Sequence, residues 1–465
     1  MPHVHFIAIG GTGMSGIAKV LLEMGYVVSG SDLKETEGTR RLESMGASVF
    51  LGHRANNLDR PDVVVVSSAV PEDNEELLEA KARSIPVLHR GEMLAKLMEG
   101  RKGISVAGAH GKTTTTSMIA MVLEKGGLNP TVLVGGEVAD FGGNAKLGRG
   151  EYLVAEADES DGSFLKLRPH LAVVTNIDDD HLDYYGSIGN IVAAFGDYIR
   201  NVGDDGFRVL CFDDPRVRSI ASGIGGRNVT YGITGAWDYT AINVNLEAWT
   251  SSFDVRLRGE PAGRLTLQIP GIHNVVNSLA AIAVGMEVGL SLEAVRDALE
   301  GFHGVQRRLQ TIACAGGIRI LDDYGHHPTE IATTLKAVRQ ATKGKIICVF
   351  QPHRFSRTFL LQDEFGTAFH VADEVILLDI YPGPGEKPLD GVTSEMIASS
   401  IRRRDGKKVA YIREKDEAVR VAAGMAMPGD VIITVGAGDV WTLAPRIATI
   451  LRDRAAAGHG HAHPT

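Results

Sequence analysis

At 465 residues the chain is long enough for about three domains of ~150 residues each. Its 44% hydrophobic and 23% charged residues suit a soluble globular protein, and its net charge of −9 argues against a general nucleic-acid or anionic-membrane surface, which would be basic. A small anionic ligand in a local basic pocket stays possible.

The cysteines Cys211, Cys314 and Cys348 are far apart and form neither a disulfide framework nor a zinc spacing, so a reducing, cytoplasmic setting is expected. The apolar N-terminus lacks the basic region and cleavage pattern of a signal peptide. No apolar run approaches the ~20 residues of a spanning helix, so no membrane partner is expected. The tail GHGHAHPT has three histidines and no other ligand type, which reads as a solvated, disordered end rather than a metal site.

VHFIAI (4–9) reads as a buried strand, followed by a glycine turn, the helix SGIAKVLLEMG, and the strands YVVSGSD and DVVVVSS. Strand, helix and strand at this spacing form a βαβ unit and hence a parallel sheet. Gly11, Gly13 and Gly16 form G-x-G-x-x-G between strand and helix, with Asp32 closing the next strand. Such glycines let a diphosphate approach a helix N-terminus. The motif alone does not choose between NAD and a UDP-sugar, and by itself it would suggest a dehydrogenase.

After a polar boundary at MEGRKG (98–103) the pattern restarts. ISVAG is a strand, Gly108-Ala109-His110-Gly111-Lys112-Thr113 is a shortened phosphate loop, and TTTTSMIAMVLEKGG is a helix. In the strict loop spacing a glycine would stand at Val106. The shortened form keeps small residues for amide–phosphate approach, Lys112 for the β/γ-phosphates and the Thr113 hydroxyl for Mg²⁺. Two later strands end in carboxylates: EADESDGS carries Glu156, Asp158, Glu159 and Asp161, and NIDDDHLDYYG carries Asp178, Asp179, Asp180, His181 and Asp183. Oxygen ligands with one imidazole suit a hard divalent ion at a triphosphate. A β-rich stretch (229–270) and a helix from HNVVNSLAAIAVGMEVG complete this segment. Beyond a second boundary at GFHGVQRRLQ (301–310), the strands GIRILDDY, KIICVF, EVILLDIY and DVIITVGAG predict a third open α/β sheet.

Together AGAHGKTTTT, EADESDGSFL, TNIDDDHLDYYG, GIHNVVNSLAA, DDYGHHPTE, FQPHRFSRT and VGAGDV resemble the Mur ligase family over nearly the whole chain. EADESD, DDYGHHPTE and QPHR resemble the branch that joins L-alanine to UDP-N-acetylmuramate in peptidoglycan precursor synthesis. A related branch attaches a ready-made tripeptide to the same sugar and tends to carry Ala at the position of Gly325. The resemblance implies three α/β domains: a Rossmann-like UDP-sugar domain (1–99), a central P-loop ATPase-type domain (100–305) and a Rossmann-like amino-acid domain (306–465). It leaves monomer or homodimer open.

By the same resemblance, ATP would be held by Gly108, His110, Gly111, Lys112, Thr113 and Thr114, with His273, Asn274 and Asn277 at the adenine and Arg308 near the phosphates. Mg²⁺, or Mn²⁺, would sit on Thr113, and a second ion on Glu156 and His181. The UDP-sugar would meet Gly11, Thr12, Gly13, Met14, Ser15, Asp32, His53, Ser67 and Ser68, and the amino-acid pocket would include Tyr324. Where the family usually has threonine in the phosphate loop, this chain has Ala109. Sister enzymes hold the second metal with a carbamylated lysine about 15 residues after the histidine matching His181; that count falls on Gly196, and no lysine occurs between Lys166 and Lys336. In the third segment Arg354 and Arg357 suit the alanine carboxylate, although such a pair is also common in surface salt bridges. His326 suits the proton of the incoming ammonium, and His327, before Pro328, is expected to be structural.

Overall fold

The computed structural model describes residues 1–138, 141–383 and 385–459. The tail histidines His461 and His463 lie outside the described residues. Three sheets follow one another along the chain. The first holds β1 (His3–Ile7), β2 (Val27–Asp32), β3 (Ser48–Leu51), β4 (Val63–Val66) and β5 (Val87–His89), all parallel in the order β3-β2-β1-β4-β5. The order reverses between β1 and β4. Such a switch point opens a crevice at the strands' carboxyl ends, where the first glycine loop and Ser67 lie. Apolar positions on both faces of β1 and β4 are buried, as a parallel sheet covered by helices requires.

The second sheet has ten strands. These are β6 (Lys102–Ala107), β7 (Thr131–Val138), β8 (Gly143–Lys146), β9 (Tyr152–Glu156), β10 (Leu171–Val174), β11 (Phe207–Cys211), β12 (Arg227–Gly232), β13 (Tyr239–Asn245), β14 (Ser251–Leu257) and β15 (Glu260–Leu267). Their order is β15-β14-β13-β12-β11-β10-β6-β9-β7-β8, and β6 pairs in parallel with both β9 and β10. The carboxyl ends of β6, β9 and β10 therefore converge, and they carry the phosphate loop, Glu156 and Thr175-Asn176.

The third sheet holds β16 (Gln310–Ala315), β17 (Ile318–Asp323), β18 (Ile346–Phe350), β19 (Glu374–Leu377), β20 (Val409–Tyr411) and β21 (Val431–Val435), in the order β16-β17-β21-β18-β19-β20. Only β16 runs antiparallel to its neighbour. The four sequence-predicted strands are its middle. The outer strands β16 and β20 were not legible, because edge strands bury too little to need a long apolar run.

By chain contacts the fold divides into two compact units. One comprises Met1–Asn243, Phe253–Thr266 and Val275–Phe302; the other comprises Val244–Ser252, Leu267–Asn274 and His303–Thr465. The first sheet and most of the second lie in the first unit. Among the described residues, no helix is long and apolar enough to cross a membrane.

Candidate active site

The phosphate loop is built by two glycines that no other residue replaces. Gly108 leaves β6 at φ +143°, and a Cβ there would lie 1.9 Å from Thr175 Oγ1. Gly111 caps the helix Lys112–Lys125 at φ +80°, where a Cβ would lie 2.7 Å from Asn277 Oδ1. The left-handed backbone and the missing side chains make a cradle at a helix N-terminus, the form that receives a polyphosphate. Loop and strand end are tied together: His110 N donates to Asn176 Oδ1 (2.9 Å), and the His110 carbonyl accepts from Thr175 Oγ1 (2.7 Å) and Asn176 Nδ2 (3.0 Å). The His110 ring sits 3.1 Å from Asp178. Thr113 and Thr114 are buried in the first helical turn, and Asn277 is buried beside the loop.

Lys112 Nζ donates to the Gly108 carbonyl (2.6 Å), the Ala109 carbonyl (3.3 Å) and Glu159 Oε1 (2.6 Å). Burial opposes its charge, but the carboxylates of Glu159, Asp158 and Glu156 outweigh it and hold its pKa above the usual lysine value. Glu159 is only 3% exposed. Burial pushes its pKa up to about 7 while Lys112 pulls the other way, so Glu159 is neutralised as pH falls while Lys112 keeps its charge. Asp158 is held well below the carboxylate range: burial works against this, and Arg90 and Lys112 overcome it.

Glu156 Oε1 accepts from Gly135 N at 2.6 Å. His181 has φ +58°, uncommon for a non-glycine residue, and caps a short helix with its Nε2 3.8 Å from Glu159 Oε1 and 3.6 Å from Asp180 Oδ2. The Asp183 side chain lies outside the described residues. These donors fit a hard divalent cation. The second carboxylate oxygen of Glu159 is buried with no hydrogen-bond partner, a lack that a cation would satisfy.

At the first glycine loop, Asp32 Oδ2 accepts from Gly10 N (2.9 Å), so the acid at the end of β2 braces the turn. Thr12 and Ser15 are gripped by the buried Asn144, whose Nδ2 donates to the Thr12 carbonyl (2.6 Å) and Ser15 Oγ (3.2 Å). Met14 is buried under the helix Thr12–Glu23. His53 Nδ1 lies 2.8 Å from Ser31 Oγ and 3.3 Å from the buried Glu76. Ser68 bonds His89 (3.0 Å) and Asp161, whereas Ser67 offers only its carbonyl, to Val70 N (3.1 Å).

In the other unit, Tyr324, His326 and His353 form an aromatic chain with centroids 5.6 and 5.9 Å apart, continued by Tyr381 at 6.1 Å. His326 Nδ1 lies 3.2 Å from the Tyr324 carbonyl, an acceptor that places the proton of the neutral ring on Nδ1. Arg354 has φ +72° and donates its amide to Tyr381 O (2.9 Å). Arg357 is buried with Nη1 3.4 Å from His353 Nδ1. Burial, then Arg357 and Arg354, push His353 down to about 4, so it stays neutral between two guanidinium groups. Glu386 accepts from Phe355 N, Ser356 N and Gly383 N, each at 3.0 Å, and fixes the turn that presents both arginines. His327 caps the helix Pro328–Ala341, with Nδ1 accepting from Thr329 N at 3.3 Å. Arg308 lies 3.6 Å from Glu330 and over the Tyr324 ring at 5.3 Å. Burial and Arg308 push His273 down to about 4, and Asn274 Nδ2 donates to the Pro270 carbonyl (2.7 Å).

His353, Glu386, Thr175 and Asn176 were missed from sequence. The last two carried a signal, since polar residues directly after an apolar strand mark a sheet's ligand edge. Glu386 carried none, because it reaches its partners only through the folded chain.

Three family models match in turn: the Mur ligase family catalytic domain over residues 3–102, the Mur ligase middle domain over 106–285, and the Mur ligase glutamate ligase domain over 307–438. The chain is 51% identical to a UDP-N-acetylmuramate–L-alanine ligase of Pelotomaculum thermopropionicum, over 97% of this chain and 98% of that one. The solved UDP-N-acetylmuramate–alanine ligase of Thermotoga maritima is 32% identical with a TM-score of 0.82, covering 98% of this chain and 100% of that one. A murein peptide ligase of Psychrobacter arcticus, 24% identical, shares the fold with a TM-score of 0.73 over 97% of this chain and 99% of that one. With three successive domain models and a full-length relative at this identity, the chain belongs to the Mur ligase family.

Proposed function

We propose that the protein joins L-alanine to the lactyl carboxylate of UDP-N-acetylmuramate at the expense of ATP, releasing ADP and phosphate, in peptidoglycan precursor synthesis. The observation that carries this reading is the pairing, in one compact unit, of a glycine cradle ending on Lys112 with a separate glycine loop at β1. Two phosphorylated substrates call for two such loops. The dehydrogenase suggested by the first loop alone leaves Lys112, Glu156 and His181 without a task.

The domain limits 1–99, 100–305 and 306–465 belong to this reading, as do the residue roles. ATP bound with Mg²⁺ (or Mn²⁺) would supply the phosphoryl group that turns the lactyl carboxylate into an acyl phosphate. Lys112 neutralises phosphate charge, the amides of Gly108, Gly111 and Thr114 position it, and His110, whose own amide is held by Asn176, shapes the loop around it. The Thr113 hydroxyl would hold one ion, and Glu156 with His181 the other. His273, Asn274 and Asn277 serve the adenine, and Arg308 the phosphates. Gly11, Thr12, Gly13, Met14, Ser15, Asp32, His53, Ser67 and Ser68 form the UDP-sugar site. Arg354 and Arg357 clamp the alanine carboxylate, with Tyr324 as a wall. His326 Nε2 takes the ammonium proton, so that the amine attacks the acyl carbon, the C–N bond forms and phosphate leaves. Charge neutralisation and positioning carry the rate.

The test is phosphate release with ATP and UDP-N-acetylmuramate, adding L-alanine, glycine, L-serine or the L-alanyl-γ-D-glutamyl-meso-diaminopimelate tripeptide in turn. L-Alanine is expected to give the highest kcat/KM; a preference for the tripeptide would make the protein a recycling ligase.

A further inference from the structure

Arg90 opens the helix Arg90–Met98 directly after β5. The two edges of its guanidinium face different surroundings. Through Nη2 it donates to Asp158 Oδ2 at 2.7 Å and to Asp161 Oδ2 at 2.8 Å, two acids of the loop that also carries Glu159. Nη1 bonds to none of the described residues. It lies 3.6 Å from the point where a side chain on Gly13 would begin, over the first turn of the helix Thr12–Glu23.

The placement is enforced by packing. A Cβ on Gly91 would lie 2.8 Å from Ser163 Cβ, so the start of Arg90's helix seats against the acidic loop only because residue 91 has no side chain. Asp161 is further held by Ser68 and by Ser163 N (3.0 Å). Burial works against the charge on Arg90, but Asp158 and Asp161 outweigh it and keep the guanidinium fully ionised. A permanent cation thus has one edge committed to carboxylates and the other turned towards a helix N-terminus that itself favours anions.

We propose that Arg90 is a substrate-binding residue: its Nη1 edge donates to the diphosphate of the nucleotide sugar at the β1 glycine loop, while its Nη2 edge holds the acidic loop beside Lys112. This rests on the reading of that glycine loop as the nucleotide-sugar site. Occupying both edges at once needs the planar fork of arginine, which the point charge of lysine does not reproduce.

The test compares UDP, by calorimetry, with uridine, by NMR titration, in the full-length wild-type, Arg90→Lys and Gly13→Val proteins. Arg90→Lys is expected to weaken UDP by about tenfold or more and uridine by less than about twofold, because only UDP carries the diphosphate. Equal weakening of both ligands would make Arg90 a structural residue and overturn the proposal. If Gly13→Val loses UDP while Arg90→Lys keeps it within about twofold of wild type, the glycine loop stands and the Arg90 assignment falls. If Gly13→Val leaves UDP binding intact, the reading of the loop itself falls and takes the proposal with it. Should Arg90→Lys not fold, a crystal structure of the wild-type protein with UDP decides: a phosphate oxygen within about 3.2 Å of Nη1 supports the proposal, and none within about 4 Å overturns it.

Discussion

The two glycine loops look alike in sequence and are glycine-rich for different physical reasons. In the loop after β6 the glycines are demanded by the protein. Gly108 and Gly111 have φ of +143° and +80°, and a Cβ would strike Thr175 at 1.9 Å or Asn277 at 2.7 Å. In the loop after β1 the helix is capped by Gly11 at φ −62°, an ordinary value, and the nearest atoms to a Cβ on Gly11 or Gly13 are 3.6 Å away. Among the described residues nothing forbids a side chain at Gly11 or Gly13, whereas a Cβ on the neighbouring Gly10 would lie 2.8 Å from Asp32 Oδ2; the room beside Gly11 and Gly13 suits a ligand. Gly108 and Gly111 are needed for their backbone angles and close contacts, whereas Gly11 and Gly13 stand beside open space, a difference that the glycine spacing alone does not show.

The largest effect that sharpens this contrast is the removal of Lys112. In Lys112→Ala, turnover measured by phosphate release should fall by about 100-fold or more, since a phosphate-neutralising cation acts at the chemistry. UDP affinity at the β1 loop should change by less than about twofold. Near-normal turnover would remove the β6 loop from catalysis.

Glycine replacement probes the loops directly. Gly108→Ala should destabilise the fold by about 3 kcal/mol or more, through a forbidden contact on a left-handed backbone, and thermal melting would show it. Gly13→Ala should leave the melting temperature unchanged or raise it, by about 0.5 kcal/mol of helix propensity, while raising the KM for UDP-N-acetylmuramate. If Gly13→Ala melts as low as Gly108→Ala, the two loops are glycine-rich for the same reason after all.

The proposed amino-acid site is assigned to guanidinium groups rather than to backbone amides. Arg354→Ala should raise the KM for L-alanine by about tenfold and that for ATP by less than about twofold. Equal shifts in both would assign the arginine elsewhere.

The smallest effect is an expected null. Gly196, where sister enzymes carry a carbamylated lysine, lies within the helix Ile188–Arg200. Under the proposed assignment, Glu156, His181, the phosphates and water would serve the second ion. Removing dissolved CO₂ should leave the rate of phosphate release unchanged; inhibition reversed by bicarbonate would bring a distant lysine into the site.

The helix–strand order, the three sheets and both glycine loops were legible from sequence, because buried parallel strands are short apolar runs and glycines next to them mark turns. The placement of Lys112, Glu156 and His181 after β6, β9 and β10 was legible, because short apolar runs mark those strands and a sheet presents its carboxyl ends to ligands. The structure decided what distance in sequence conceals. Arg90 meets Asp158 and Asp161, 68 and 71 residues on; Asn144 grips Thr12 from 132 residues away; and Glu386 braces a turn 31 residues before it. Such pairs depend on how strands order themselves in a sheet and on which loops then adjoin. That order comes from the summed burial of many side chains, so no local residue pattern encodes it. Whether a glycine is needed for its backbone angle or for the room beside it is settled in the same way, by neighbours that arrive only with the tertiary fold.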